Sequence, residues 1–140
     1  MARKTKPETF LDTGIFIAWL VETDHLHDRV RALFEALPAQ LVTSLAVVSE
    51  TYSHLLHRFG EEAARTFRHA LRALPGLTLL PLEVGHHRSV ERKLDTLRGL
   101  KLTYVDASCL VFLAERRIKT VWGTDADLAA EGAAVIPGPA

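Results

Sequence analysis

The stretch Ala107-Ser108-Cys109-Leu110-Val111-Phe112-Leu113-Ala114 contains no charged residue. A helix with one wet face needs polar residues at every third or fourth position. This stretch has too few, so it reads as a helix packed deep against a sheet. Its first turn nevertheless carries a carboxylate, Asp106. Two accounts fit. Thr103 and Asp106 have the spacing of a capping box, Ser/Thr-x-x-Asp/Glu, in which each satisfies a backbone N–H of the other. Alternatively, the acid is held there for chemistry.

The rest of the chain supplies the sheet. Thr9-Phe10-Leu11, Gln40-Leu41-Val42-Thr43, Leu77-Thr78-Leu79-Leu80-Pro81, Lys119-Thr120-Val121-Trp122 and Ala133-Ala134-Val135-Ile136 are short β-like runs. Helical patterns lie between them. Thr13 to Val21 carries Ile15, Phe16, Trp19 and Leu20. A second helix opens at Asp24-His25-Leu26-His27, shows Val30, Leu33, Phe34 and Leu37, and stops at Pro38. Leu45 to Arg58 is expected to face the core with Leu45, Val48, Tyr52 and Leu55. Glu61 to Leu74 does so with Ala63, Ala64, Phe67, Ala70, Leu71 and Leu74. Glu83 to Arg98 is mostly polar, anchored by Val90, Leu94 and Leu97. Short strands alternating with helices predict an α/β fold: a three-layer α/β/α arrangement around a short-stranded parallel sheet. One domain over residues 1–140 is expected, with 1–7 and 137–140 loose.

Composition excludes several classes. With 48% hydrophobic residues the chain is not disordered. Its single cysteine, Cys109, permits no internal disulfide and no cysteine zinc site. No signal peptide is recognisable, and no apolar run reaches the roughly 20 residues that span a bilayer. The expectation is a cytoplasmic protein with no membrane contact. Lys+Arg and Asp+Glu are 17 each, so the generally basic surface of a nucleic-acid binder is absent. Neither Gly-x-Gly-x-x-Gly nor a phosphate-binding Gly-x4-Gly-Lys-Ser/Thr loop occurs, which argues against dinucleotide and ATP-type sites. His25 and His27 are two apart, a spacing that points helical side chains in different directions and makes them poor metal partners.

The acids gain meaning from their positions. Asp12 and Asp125 each directly follow a strand. Asp106 opens the buried helix, and Glu50 lies early in the helix after the second strand. In an open parallel sheet all strand ends of one kind share an edge, and ligands bind there where the strand order reverses. Four acids distant in sequence therefore converge on one place. N-capping accounts for each singly, but not for carboxylates at four junctions. At an effective dielectric near 20, one unit-charge pair at 4 Å costs roughly 4 kcal/mol. Such a cluster takes up protons or binds a cation. Oxygen ligands select a hard ion, Mg²⁺ or Mn²⁺, suited to phosphodiester hydrolysis.

Four fragments then carry a resemblance. Phe10-Leu11-Asp12-Thr13, Val48-Ser49-Glu50, Leu102-Thr103-Tyr104-Val105-Asp106-Ala107 and Thr124-Asp125 together resemble a PIN domain, and within it the VapC-type toxins of toxin–antitoxin pairs. The resemblance implies a Mg²⁺- or Mn²⁺-dependent endoribonuclease that forms a homodimer and is blocked by a small antitoxin. It implies that Asp12, Asp106 and Asp125 ligate metal, with Glu50 completing the cluster in part through water. Thr13 and Thr124 match hydroxyls that support the carboxylates. It further implies in-line cleavage of RNA to a 3′-hydroxyl and a 5′-phosphate.

Two positions depart from the pattern. Asp127 is an additional acid, expected to be either a supporting group or solvent-exposed. Gly14 stands where the family commonly has Ser or Asn. Arg65, Arg68 and Arg72 recur at three- and four-residue steps and are candidates for contact with RNA or with the antitoxin. Three alternatives stand beside this reading: a non-catalytic PIN-like binding module, an RNA-processing nuclease without an antitoxin, and an aspartyl-phosphate phosphohydrolase. The last generally needs Asp-x-Asp at the first strand, where this chain has Asp12-Thr13-Gly14.

Overall fold

The computed structural model describes residues 7–36 and 40–139. The expected stripe residue Leu37, the stop at Pro38 and residues 1–6 and 140 of the expected loose ends lie outside them. Among the described residues there are five strands and six α-helices. In chain order they are β1 (Glu8–Leu11), α1 (Thr13–Leu20), α2 (His27–Ala36), β2 (Gln40–Ser44), α3 (Leu45–Phe59), α4 (Glu61–Ala73), β3 (Thr78–Leu80), α5 (Val84–Thr96), α6 (Tyr104–Arg116), β4 (Thr120–Gly123) and β5 (Ala134–Pro137). A short 3-10 helix, Ala126–Ala129, follows β4.

All strand pairs are parallel, and the order across the sheet is β3-β2-β1-β4-β5. The chain builds outward from β1 in one direction, then returns to its other side at β4. The reversal point is therefore the β1–β4 boundary, where Leu11 pairs with Trp122 and the Asp12 N–H donates to Trp122 O at 2.9 Å. Alternation along the strands sends Phe10 and Trp122 to opposite faces. Phe10 stacks on Phe112 of α6, and Trp122 meets Phe34 of α2 edge-on. Helices thus cover both faces, as expected for a parallel sheet.

The apolar character of α6 has a direct cause. Cys109, Leu110, Phe112 and Leu113 join the main core, while Ala107 and Val111 pack with Val90 of α5 in a second, smaller cluster. The helix is sandwiched between the sheet and α5.

Two expectations are corrected, at Leu45 and at the C-terminal end, and α5 adds a buried histidine. Leu45 is not a core residue. It is 44% exposed, and the buried face of α3 is Ala46, Val47, Thr51 and Leu55. The face is hidden in the sequence because it includes a threonine, whose hydroxyl is satisfied within the helix by Val47 O at 2.7 Å. The polar helix α5 buries His86, which donates or accepts at Ser108 Oγ (2.6 Å) and stacks on Phe112. At the C-terminal end, Pro137 is part of β5, opposite Gly123, and the Gly138 N–H donates to Gly123 O.

Candidate metal centre

Asp12 follows β1 at the reversal point. Its backbone has the extended geometry of a helix N-cap, yet its side chain makes no capping hydrogen bond to α1. Capping, the ordinary explanation for an acid here, therefore fails. The residue is 5% exposed, and no cation pairs with it among the described residues. Burial pushes its carboxyl up to about 7, with the charges of Asp106, Glu50 and Asp125 adding and the Thr13 backbone N–H opposing. A carboxylate in this state is a proton store or an ion ligand awaiting its ion.

Asp106 answers the capping question differently, because it serves both roles. Its N–H donates to Thr103 Oγ1 (3.1 Å), and its Oδ2 accepts from the Thr103 N–H (3.2 Å), completing a capping box. Oδ1 is left for the site. Burial still raises the Asp106 carboxyl above its ordinary value, against the opposing Thr103 hydrogen bonds. Asp125 divides its oxygens in the same way. Oδ1 accepts from the Asp127 N–H at 2.9 Å, which caps the 3-10 helix and draws Asp127 back toward the cluster.

One oxygen each from Asp106, Asp125 and Asp127 lies within 4.8 Å of the others. Of three oxygens on one octahedral Mg²⁺ at 2.0–2.1 Å at least two pairs are only about 3 Å apart, so the three carboxylates would have to draw together to hold an ion directly. Glu50, half-buried on α3, adds its field at Asp12, Asp106 and Cys109. The five acids form one electrostatic unit at the C-terminal edge of the sheet. Asp127, expected as a supporting or exposed acid, belongs to its tightest group. The signal was present in Asp125-Ala126-Asp127: two acids two residues apart converge when a tight turn, rather than a regular helix, carries them.

The hydroxyls behave less simply. Thr13 Oγ1 is buried and has no hydrogen-bond partner among the described residues. A buried hydroxyl beside the acids, with its proton uncommitted, suits a site that holds an ion with its waters. No hydrogen bond joins Thr13 or Thr124 to a site carboxylate. Cys109 Sγ lies 4.0 Å from Asp12 Oδ1. Burial first, then the surrounding acids, push its thiol well up, so it is a neutral apolar wall and not a nucleophile.

Arg65, Arg68 and Arg72 lie exposed along α4 with no ion-pair partner among the described residues. Arg65 and Arg68 flank a shallow cleft with Tyr52, Leu56, Glu61 and Glu62. His27 is in no cluster of metal-ligating side chains among the described residues, and its Nδ1 donates to Ala18 O near the end of α1. A cavity of about 520 Å³ lies away from the acids, among Leu110, Leu113, Ile118 and Leu128. Among the described residues no helix is long and apolar enough to cross a membrane.

Comparison with solved structures gives the same architecture. VapC20 of Mycobacterium tuberculosis, titled a sarcin–ricin loop cleaving toxin, superposes with a TM-score of 0.81 at 23% identity, covering 89% of this chain and 95% of that one. A toxin–antitoxin complex from Klebsiella pneumoniae gives 0.61 at 19% identity, and FitAcB from Neisseria gonorrhoeae 0.64 at 18%; each covers 91% of this chain and 95% of its own. No curated protein sequence matches. The PIN domain model matches residues 9–132, a span that runs from β1 to the approach to β5 and contains all five acids. The chain belongs to the PIN domain family.

Proposed function

We propose that the chain is a Mg²⁺- or Mn²⁺-dependent endoribonuclease and the toxin of a toxin–antitoxin pair. The observation that carries this reading is Asp12: a buried carboxylate that caps nothing, pairs with no cation among the described residues and is surrounded by Asp106, Glu50 and Asp125. Asp12, Asp106, Asp125 and Asp127 would hold the ion, with Glu50 acting in part through water. Such an ion supplies an activated water and neutralises charge on the phosphodiester.

The residues do the rest. The two capped acids, Asp106 and Asp125, each keep one oxygen fixed by backbone and offer the other, so little side-chain freedom is lost on ligation. The buried Thr13 hydroxyl, next to Asp12 in sequence and without a protein partner among the described residues, would be free to bind a water of the ion. Cys109 and the packed strand ends exclude bulk solvent from Asp12, so its charge acts through a low dielectric.

One neighbour of this fold is a toxin–antitoxin complex, and VapC20 is described as a sarcin–ricin loop cleaving toxin. The same roles are proposed here: a folded RNA as substrate, a small antitoxin as partner and a homodimer as the working form. The test is cleavage of total cellular RNA by the purified chain with Mg²⁺ or Mn²⁺, beside Asp106→Asn and EDTA. Discrete fragments from the wild type alone are expected. Absence of both cleavage and calorimetric metal uptake would sink the reading and leave a binding module.

A further inference from the structure

Gly14 is the second residue of α1 and has ordinary helical backbone, so nothing in its conformation calls for glycine. Glycine there weakens the helix by roughly 0.5–1 kcal/mol relative to alanine. Space is the reason for it. A Cβ at position 14 would overlap Thr124 Oγ1 and would lie 3.2 Å from Thr124 Cβ. The Thr124 side chain sits where a side chain of residue 14 would be. Gly123 makes the second close approach, since a Cβ there would lie 3.2 Å from Asp12 Cβ. The start of α1 and the end of β4 therefore meet through two bare Cα atoms, with Thr124 folded over the first.

We infer that Thr124 is a positioning residue whose seat on the bare Gly14 Cα fixes the β4 turn, and so sets Asp125 and Asp127 against Asp12. This rests on the metal-site reading above. The coupling is short and covalent. Thr124 directly precedes Asp125, and the Asp127 N–H is tied to Asp125 Oδ1. A shift of the Thr124 backbone is therefore passed on to both acids. To accept a Cβ at position 14, Thr124 Oγ1 must move from 2.1 Å to an ordinary van der Waals separation, a displacement of roughly 1.3 Å or more. Thr124 thus fills from β4 the space that a side chain at position 14 would take.

The test is a double-mutant cycle on Mg²⁺ affinity by calorimetry, with the thermal midpoint of each EDTA-treated variant recorded alongside. Thr124→Ala removes the seat and is expected to weaken binding about tenfold with its midpoint preserved. Gly14→Ala forces the overlap and is expected to weaken it by up to about 100-fold, the range found when residues supporting a metal site are altered. Gly14→Ala/Thr124→Ala is expected to return to the level of Thr124→Ala alone. Wild-type affinity in Thr124→Ala overturns the inference, as does a double variant no better than Gly14→Ala. If Gly14→Ala does not fold, Thr124→Ala decides alone. A wild-type chain that takes up no Mg²⁺ or Mn²⁺ overturns the metal-site reading itself, and this inference with it.

Discussion

Asp12 places function and stability in opposition. In the ion-free protein the folded state keeps the Asp12 proton up to about pH 7, whereas an unfolded chain loses it near 3.8. Between those values the folded chain binds more protons, so stability falls as pH rises through the window. The shift corresponds to ~4 kcal/mol at full ionisation. Asp12→Asn should therefore raise the thermal midpoint by several degrees at pH 8 in EDTA and leave it unchanged at pH 4. A variant no more stable than wild type at pH 8 would contradict the origin assigned to the shift. The same proton competes with the ion, so Mg²⁺ affinity measured by calorimetry should fall by up to about tenfold per unit as pH drops below 7. The position of Asp12 at a strand–helix junction was legible in the sequence. That it caps nothing was not, because capping depends on side-chain rotamer and on what surrounds it. Gly14 was visible as a departure, but its reason lies 110 residues away in Thr124.

At the level of elements, α6 carries two separable duties in its first turn. Thr103→Ala removes half of the capping box and should cost about 1 kcal/mol in urea unfolding, with RNA cleavage retained. Asp106→Asn keeps an acceptor for the Thr103 N–H, so its stability should stay within about 0.5 kcal/mol while cleavage is lost. If the two variants lost both properties in parallel, the division of the Asp106 oxygens would be wrong. The interface between α5 and α6 adds a second titration. Burial lowers the His86 pKa from 6.5, with the Glu115 charge opposing. The unfolded chain thus binds more protons below pH 6.5, and stability falls as pH drops through that range, opposite in sign to Asp12. His86→Phe should flatten the acid side of the stability profile when urea unfolding is compared at pH 5 and 7. An unchanged slope would remove His86 from this role. The burial of His86 was within reach of pattern reasoning: it precedes Val90 and Leu94 at four-residue steps. A polar residue on an apolar stripe is easily passed over, and Thr51 on α3 is buried in the same way.

For the whole molecule, alternating elements were enough to give a parallel sheet with helices on both faces, and the junction acids pointed to its C-terminal edge. The order β3-β2-β1-β4-β5 was not legible, because strand pairing is decided by long-range packing that no local pattern encodes. That order places Asp12 beside the end of β4, and so turns scattered acids into one site. It also sets an electrostatic problem. The net charge is zero and five acids share one edge, so an approaching RNA backbone is repelled there until an ion is bound. Attraction would have to come from elsewhere, and the arginines of α4 are the candidates for it. Glu61 and Glu62 at its start and Arg72 at its end complement the helix dipole, but the dipole acts only within the first and last turns. Arg65 and Arg68, toward the middle of the helix and without ion pairs among the described residues, are left unexplained by it. If they hold phosphates, Arg68→Gln placed in the Asp106→Asn background should reduce the log–log salt slope of RNA binding by about 0.7–0.9. In the active chain it should raise KM with kcat and Mg²⁺ affinity unchanged. An unaltered salt slope accompanied by weaker antitoxin binding would assign the strip to the protein partner, and RNA would then have to be drawn to the acidic edge by the bound ion alone.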